Sequence, residues 1–325
     1  MANYQVLGGV HLPDVSPPSR ISVSQALHRV VRKYADKNAD WGPRALLRKF
    51  RKVARILFLH PVVFYRAVDT LAGRKFSSLV TRDPFIFLKC CLESYSRDLL
   101  PVERAKMFVA HYHWLQSQFD QGFLDRIVAD GGEVVWERRE EGLALGISLH
   151  IAYATEVSGE MVLSFRANGI VIYALYFQVV PGRPFGVNAD RIMLVSQLHG
   201  MKGQLDLIRR ATKALSDVSP NLVLMAAADG FARGLDIEHV LGINAGMSMC
   251  GGDSPKPLLC SYDDFWSSIE GKRLPSGYFH FPVPLPVKPL QLIKRNHRGR
   301  VKIRRMFRHQ VTQHVRNKVL RARAF

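Results

Sequence analysis

Between Leu143 and His199 the hydrophobic period is two, and this constrains the fold more than any other feature of the chain. Leu143, Leu145, Ile147, Leu149 and Ile151 alternate with Ala144, Gly146, Ser148 and His150, the pattern of a strand with one buried face. Met161 to Arg166 reads as a second strand. Ile170 to Val180, apolar on both faces, reads as a central third, and Arg191 to His199 as a fourth. Asn168-Gly169 joins the second to the third and is a strong hairpin signal, because both residues tolerate the positive φ that a tight turn needs. Four consecutive strands with short links predict an antiparallel meander.

Helical patterns flank this region. Ser22 to Tyr34, Arg44 to Leu59 and Pro101 to Val128 precede it. In the last of these, Ala105, Phe108, Tyr112, Leu115 and Phe119 form one apolar face, and His111-Tyr112-His113-Trp114 reads as a packed polar-aromatic patch. Past Gly200 the sequence predicts helices over Leu205 to Leu215 and over Pro220 to Arg233, the second closed by Gly234 as its C-cap. A fifth strand over Ile237 to Asn244, a short helix over Tyr262 to Ile269 and a sixth strand over Tyr278 to Val283 follow. A proline ladder from Pro282 to Pro289 then leads to a basic helix over Asn296 to Leu320. The expected class is α+β, with a helical N-terminal region (1–130), a mixed, mainly antiparallel sheet domain (131–290) and a basic C-terminal helix (291–325).

Charge divides the chain in the same way. Residues 1–60 hold 11 Lys+Arg against 3 Asp+Glu, residues 61–270 hold 20 against 24, and residues 271–325 hold 15 against none. The +19 net charge therefore sits at the two ends, a field suited to an acidic partner: an anionic membrane surface, an acidic protein or nucleic acid. The four cysteines lack C-x-x-C spacing, which favours a reduced, cytoplasmic protein, and no His/Cys/carboxylate cluster has metal spacing. No secretory signal and no membrane-spanning run is visible, so contact with a membrane is expected at its inner surface. Ser148 and His150 share a strand face but lack the G-x-S-x-G elbow of a serine hydrolase.

The chemistry-bearing junction is Ser196-Gln197-Leu198-His199-Gly200-Met201-Lys202-Gly203, where the fourth predicted strand enters a helix. A glycine-bearing turn at a helix N-terminus exposes N–H groups that suit phosphate. The segment resembles the pyrophosphate loop of the GNAT acetyltransferase superfamily. Gln197 and Gly200 fit its pattern, Lys202 occupies the second small position, and Gly203 follows one place late. The order of elements over residues 133–283 resembles that superfamily too. The resemblance implies acyl-CoA or an acyl carrier protein as co-substrate, held by Gln197, Gly200, Lys202, Gly203 and Asn244. It also implies His199 as general base and Tyr262 as general acid for transfer to an amine or hydroxyl. The ordinary alternative for each residue is a satisfied structural polar group.

A second resemblance covers residues 100–308. Arg104 to Tyr112, Thr212-Lys213-Ala214-Leu215 with Ser219-Pro220, Tyr262-Asp263-Asp264-Phe265-Trp266 with Gly277-Tyr278-Phe279, and Lys288-Pro289-Leu290 through Arg304-Arg305 are similar to the VirK/YbjX family of Gram-negative bacteria. That resemblance implies a part in virulence, envelope maintenance or resistance to cationic peptides, and no defined reaction.

In the tail, Ile303, Phe307, Val311, Val315 and Val319 recur every four residues beside an arginine-rich face, the signature of an interfacial helix. The competing reading docks that stripe on the body of the protein. Three function classes stand: an acyltransferase using a thioester donor, a non-catalytic adaptor at the inner face of an anionic membrane, and a nucleic-acid-binding protein. An open V between the fourth and fifth predicted strands supports the first; a sheet filled by side chains favours the second.

Overall fold

The computed structural model describes residues 60–90, 98–154, 158–247 and 257–324, together with Ser96 and isolated positions between 25 and 59. The helices expected over 22–34 and 44–59 lie almost wholly outside the described residues, as does most of the loop over 245–257. The first described elements are α1 (Pro61–Ala72), α2 (Ser77–Arg82), α3 (Ile86–Lys89), α4 (Pro101–Gln118) and α5 (Gln121–Val128). The meander follows as β1 (Glu133–Glu140), β2 (Leu143–Ile151), β3 (Met161–Ala167), β4 (Ile170–Val180) and β5 (Ile192–Gly200). Then come α6 (Leu205–Ala214), α7 (Pro220–Gly234), β6 (His239–Gly242), α8 (Pro257–Ser268), β7 (Lys272–Arg273), β8 (Phe279–Pro282) and α9 (Arg298–Arg321).

The eight strands form one open sheet in the order β1-β2-β3-β4-β5-β6-β8-β7. Among the described residues only β5 and β6 pair in parallel. The fold is α+β, as the sequence predicts. Asn168 and Gly169 turn the β3–β4 hairpin with φ of 50° and 80°. Two strands escape the periodicity. β1 carries the charged run Glu137 to Glu140 at the sheet edge, and β7 has only two residues.

The continuous helix expected over 101–128 is two helices. Phe119 is extended, and the Asp120 carboxylate accepts from Phe123 N at 2.7 Å, capping a new helix. The stripe Ala105, Phe108, Tyr112, Leu115 and Phe119 is fully buried. Inside the aromatic patch, His111 has a backbone task. β3 pairs with β4 only as far as Phe177, and beyond it Val179 N donates to His111 Nδ1 at 3.1 Å. The imidazole thus replaces a missing strand partner. One hydrophobic core includes residues of α1, α4, α5, the sheet, α7 and α9, and so draws on all three regions delimited above.

α9 packs along α7 and against β1. Phe307, Val311, Val315 and Val319 are buried there, so most of the tail stripe belongs to the core; Ile303 alone of the five points to solvent. Close approach explains the fit. A Cβ on Gly230 would stand 2.4 Å from Thr312 O, and one on Gly234 would stand 2.9 Å from Val319 Cγ1. Gly234 is therefore the last residue of α7 and a packing glycine, not its C-cap.

Gly230→Ala is expected to lower stability by about 1–3 kcal/mol through overpacking. Gly299→Ala in α9, whose Cβ would meet nothing within 4 Å, should leave stability unchanged or raise it by up to ~1 kcal/mol. Urea unfolding of both variants checks the contrast. Acid should also weaken the fold. Burial, and next the nearby Lys89 charge, lower the His111 pKa to about 3. Below about pH 6.5 the unfolded chain takes up a proton at this site that the folded chain refuses until about pH 3. Stability should fall across that window, and His111→Gln should flatten the pH dependence of the urea midpoint.

Candidate functional site

The site begins with a defect in strand pairing. Along β4 and β5, Tyr176 opposes Gln197 while Phe177 opposes Val195, so Ser196 is a bulged residue. The Ser196 hydroxyl donates to the Ser158 carbonyl and lies 3.3 Å from Tyr176 O. Ser158 belongs to the β2–β3 loop, which is anchored from beneath. Lys89 Nζ donates to Ala152 O and Gly159 O at 2.9 and 2.6 Å and lies 3.4 Å from Glu160 Oε2. Tyr112 donates to the same Glu160 oxygen at 2.9 Å, and all three side chains are buried.

On its other side β5 leaves β6. The parallel pairing runs from Met193↔Val240 to Val195↔Gly242, and its last bond is Ile243 N to Val195 O at 3.1 Å. α8 fills the parting. Leu198 N donates to the Tyr262 hydroxyl at 2.5 Å, Trp266 Nε1 donates to Ile243 O at 2.8 Å, and Asp263 accepts from Ala245 N at 2.9 Å. Gly242 admits the indole: a Cβ there would stand 2.7 Å from the Trp266 ring. The gap between the two strands is therefore stopped at its apex by Trp266 and bridged by Tyr262.

The register gathers polar side chains on the sheet face away from the main core. Ser148, Ser164, Ala174 and His199 are successive partners across β2 to β5, and His150, Val162, Tyr176 and Gln197 form the next row. His150 Nε2 lies 2.7 Å from Ser164 Oγ. The His199 ring stacks on Tyr176 with centroids 5.8 Å apart, and its buried Nδ1 has no hydrogen-bond partner among the described residues. Burial lowers the His199 pKa, so the imidazole is neutral at pH 7. The sequence gives no sign of the Ser196 bulge, or of Ser148, Ser164 and His150 joining His199, because both follow from pairing register.

The other expected site residues separate into two sets. Tyr262 binds the Leu198 amide, and Gln197 and His199 flank Leu198 along β5. Asn244 stands apart: its side chain accepts from Met247 N at 3.0 Å and donates to Gly277 O at 3.1 Å, a loop-capping task. Gly200 is closely packed: a Cβ would lie 3.1 Å from the Tyr173 ring and 3.3 Å from Ile208, so those side chains would have to shift by a few tenths of an ångström. Gly203 has a φ of 82° with open space around it and turns the exposed Lys202 segment into α6. The first N–H groups of α6 have no intrahelical acceptor. Exposed Arg209, Arg210 and Lys213 follow on that helix, with one short-range pair between Arg209 and Asp206. Among the described residues no three His, Cys, Asp or Glu side chains are grouped to hold a metal ion, and no helix is long and apolar enough to cross a membrane.

No curated protein and no solved structure matches the chain. The family model for a protein of unknown function, DUF535, matches residues 42–317, which include every element from α1 to β8, most of α9 and the whole Leu198–Tyr262 site. The chain belongs to the DUF535 family, the family that includes VirK/YbjX.

Proposed function

We propose that this chain is an acyltransferase of GNAT-like design that moves an acyl group from a thioester, acyl-CoA or acyl carrier protein, to an amine or hydroxyl. One observation supports the reading above the rest: the Ser196 bulge and the parting of β5 from β6 turn the Leu198 N–H out of the sheet ladder, onto the Tyr262 hydroxyl. A thioester carbonyl oxygen is an alternative acceptor for that amide, which would stabilise the charge that grows on it. Trp266 and Tyr262 fill the parting of β5 from β6, the arrangement that on its own favours the adaptor, so the transferase reading requires Tyr262 to leave the Leu198 amide as the carbonyl enters, with its O–H then free to serve the sulfur.

In the proposed step the acceptor's O–H or N–H gives its proton to the neutral His199, and the freed oxygen or nitrogen forms a bond to the thioester carbon. The C–S bond breaks, and the thiolate takes the proton of Tyr262. The tyrosinate and the imidazolium exchange their proton through solvent, which restores both groups. Lys202, just before the α6 N-terminus, with Arg209 and Arg210 one turn further along the helix, suits the phosphates of CoA or the acidic surface of a carrier protein. Action on an envelope component is the setting that fits the VirK/YbjX likeness.

Calorimetry with acetyl-CoA, a long-chain acyl-CoA and an acyl carrier protein tests donor binding, and binding of none of the three by the wild-type protein ends the proposal. With a donor identified, His199→Ala and Tyr262→Phe should each lower turnover by about 10²-fold. Because the His199 pKa is lowered, the acid limb of the rate profile should lie below pH 6.5 and vanish in His199→Ala. Gly200→Val is a poor test of phosphate binding, because it collides with Tyr173 and Ile208. Lys202→Glu with Arg209→Glu probes the anion directly and should weaken acyl-CoA more than acyl-pantetheine.

A further inference from the structure

We infer that the segment from Val287 to Met306 is a docking face for an anionic lipid bilayer, whether or not the protein transfers acyl groups. Burial of Phe307, Val311, Val315 and Val319 removes the helix stripe from any lipid contact. A different apolar set is exposed nearby: Val287 at 58%, Leu292 at 67%, Ile303 at 52% and Met306 at 58%. Ile303 and Met306 are three residues apart on α9 and so are neighbours on its exposed surface, Ile303 at the edge of the buried stripe and Met306 away from it.

Side-chain bonds bring the other two alongside. Arg305 donates to the Lys288 carbonyl, next to Val287. Arg298 donates to Gln291 O at 3.2 Å and to Ile293 O at 2.9 Å, and so holds the backbone on both sides of Leu292. The approach, with its short 3-10 turns over Leu290–Leu292 and Arg295–His297, and the first half of α9 thus present a surface on which four large apolar side chains stand among cations.

Charge selects the occupant. Lys288, Lys294, Arg295, Arg298, Arg300 and Lys302 are exposed on this segment. No acidic residue follows Glu270 in the chain. Among the described residues, the ion pairs of the C-terminal region involve Arg304, Lys318 and Arg323 and none of those six. Cations interleaved with exposed apolar side chains meet both demands of a lipid interface: phosphate at the headgroup level and hydrocarbon just below. A nucleic-acid contact uses the charges alone and leaves Leu292, Ile303 and Met306 without a role.

The test uses the full chain with phosphatidylcholine vesicles and with vesicles of equal parts phosphatidylcholine and phosphatidylglycerol. Co-sedimentation is expected with the anionic vesicles only, and high salt should weaken it. Leu292→Ser, Ile303→Ser and Met306→Ser combined keep every charge and alter only exposed side chains. This variant should keep the wild-type melting temperature and lose anionic-vesicle binding by about tenfold or more. Absence of wild-type binding to the anionic vesicles overturns the inference, and so does undiminished binding by the triple variant. Salt-sensitive binding to duplex DNA that the triple variant retains, with no vesicle binding, assigns the surface to nucleic acid instead.

Discussion

A buried cation under the sheet sets the geometry of everything above it. Lys89, at the end of α3, has no solvent contact and spends its ammonium on Ala152 O, Gly159 O and the Glu160 carboxylate. Its bonds fix both ends of the β2–β3 loop, and the Ser158 carbonyl of that loop receives the bulged Ser196 hydroxyl. The bulge in turn decides which amide of β5 faces the parting from β6. An unpaired charge left in such a place costs about 3–5 kcal/mol, so the carboxylate and the ammonium hold each other in register even where the pair itself adds little net stability. A helix in the N-terminal half thereby controls the backbone around Leu198.

Much of the fold was legible because hydrophobic period reports directly on which face is covered. The runs at Leu143, Met161, Ile170 and Arg191 all became strands, and Asn168-Gly169 turned as its chemistry requires. β1 was obscured because an edge strand exposes one face and its charges break the alternation. Period alone does not say what covers an apolar face. The tail stripe was visible in the sequence, yet its partner was signalled only by Gly230 and Gly234, two small residues four apart on α7 that let a second helix approach.

The site was legible in its ingredients and not in its assembly. Tyr262 reaches the amide of Leu198, which Gln197 and His199 flank along β5, a juxtaposition that depends on how α8 meets the end of β5. Asn244 looked equally suitable by position, but its amide is consumed by Met247 and Gly277. Gly200 serves the packing of Tyr173 and Ile208. Such distinctions depend on which neighbour claims a hydrogen bond or a volume first, and sequence spacing carries no record of that competition. The bulge is the extreme case, since an extra residue in β5 has meaning only against its partner in β4.

The seat of α9 on α7 also has a consequence for biosynthesis. Arg321 is made 87 residues after Gly234. At about 5–20 residues per second, the ribosome takes roughly 4–17 s to bridge that distance. During that interval the α7 groove that will receive Val315 and Val319 has emerged without its cover. A nascent chain with an exposed, glycine-smoothed apolar groove is a natural client for a chaperone. Ala324 N on Gln118 O then closes the clasp, joining residues 206 positions apart in the chain.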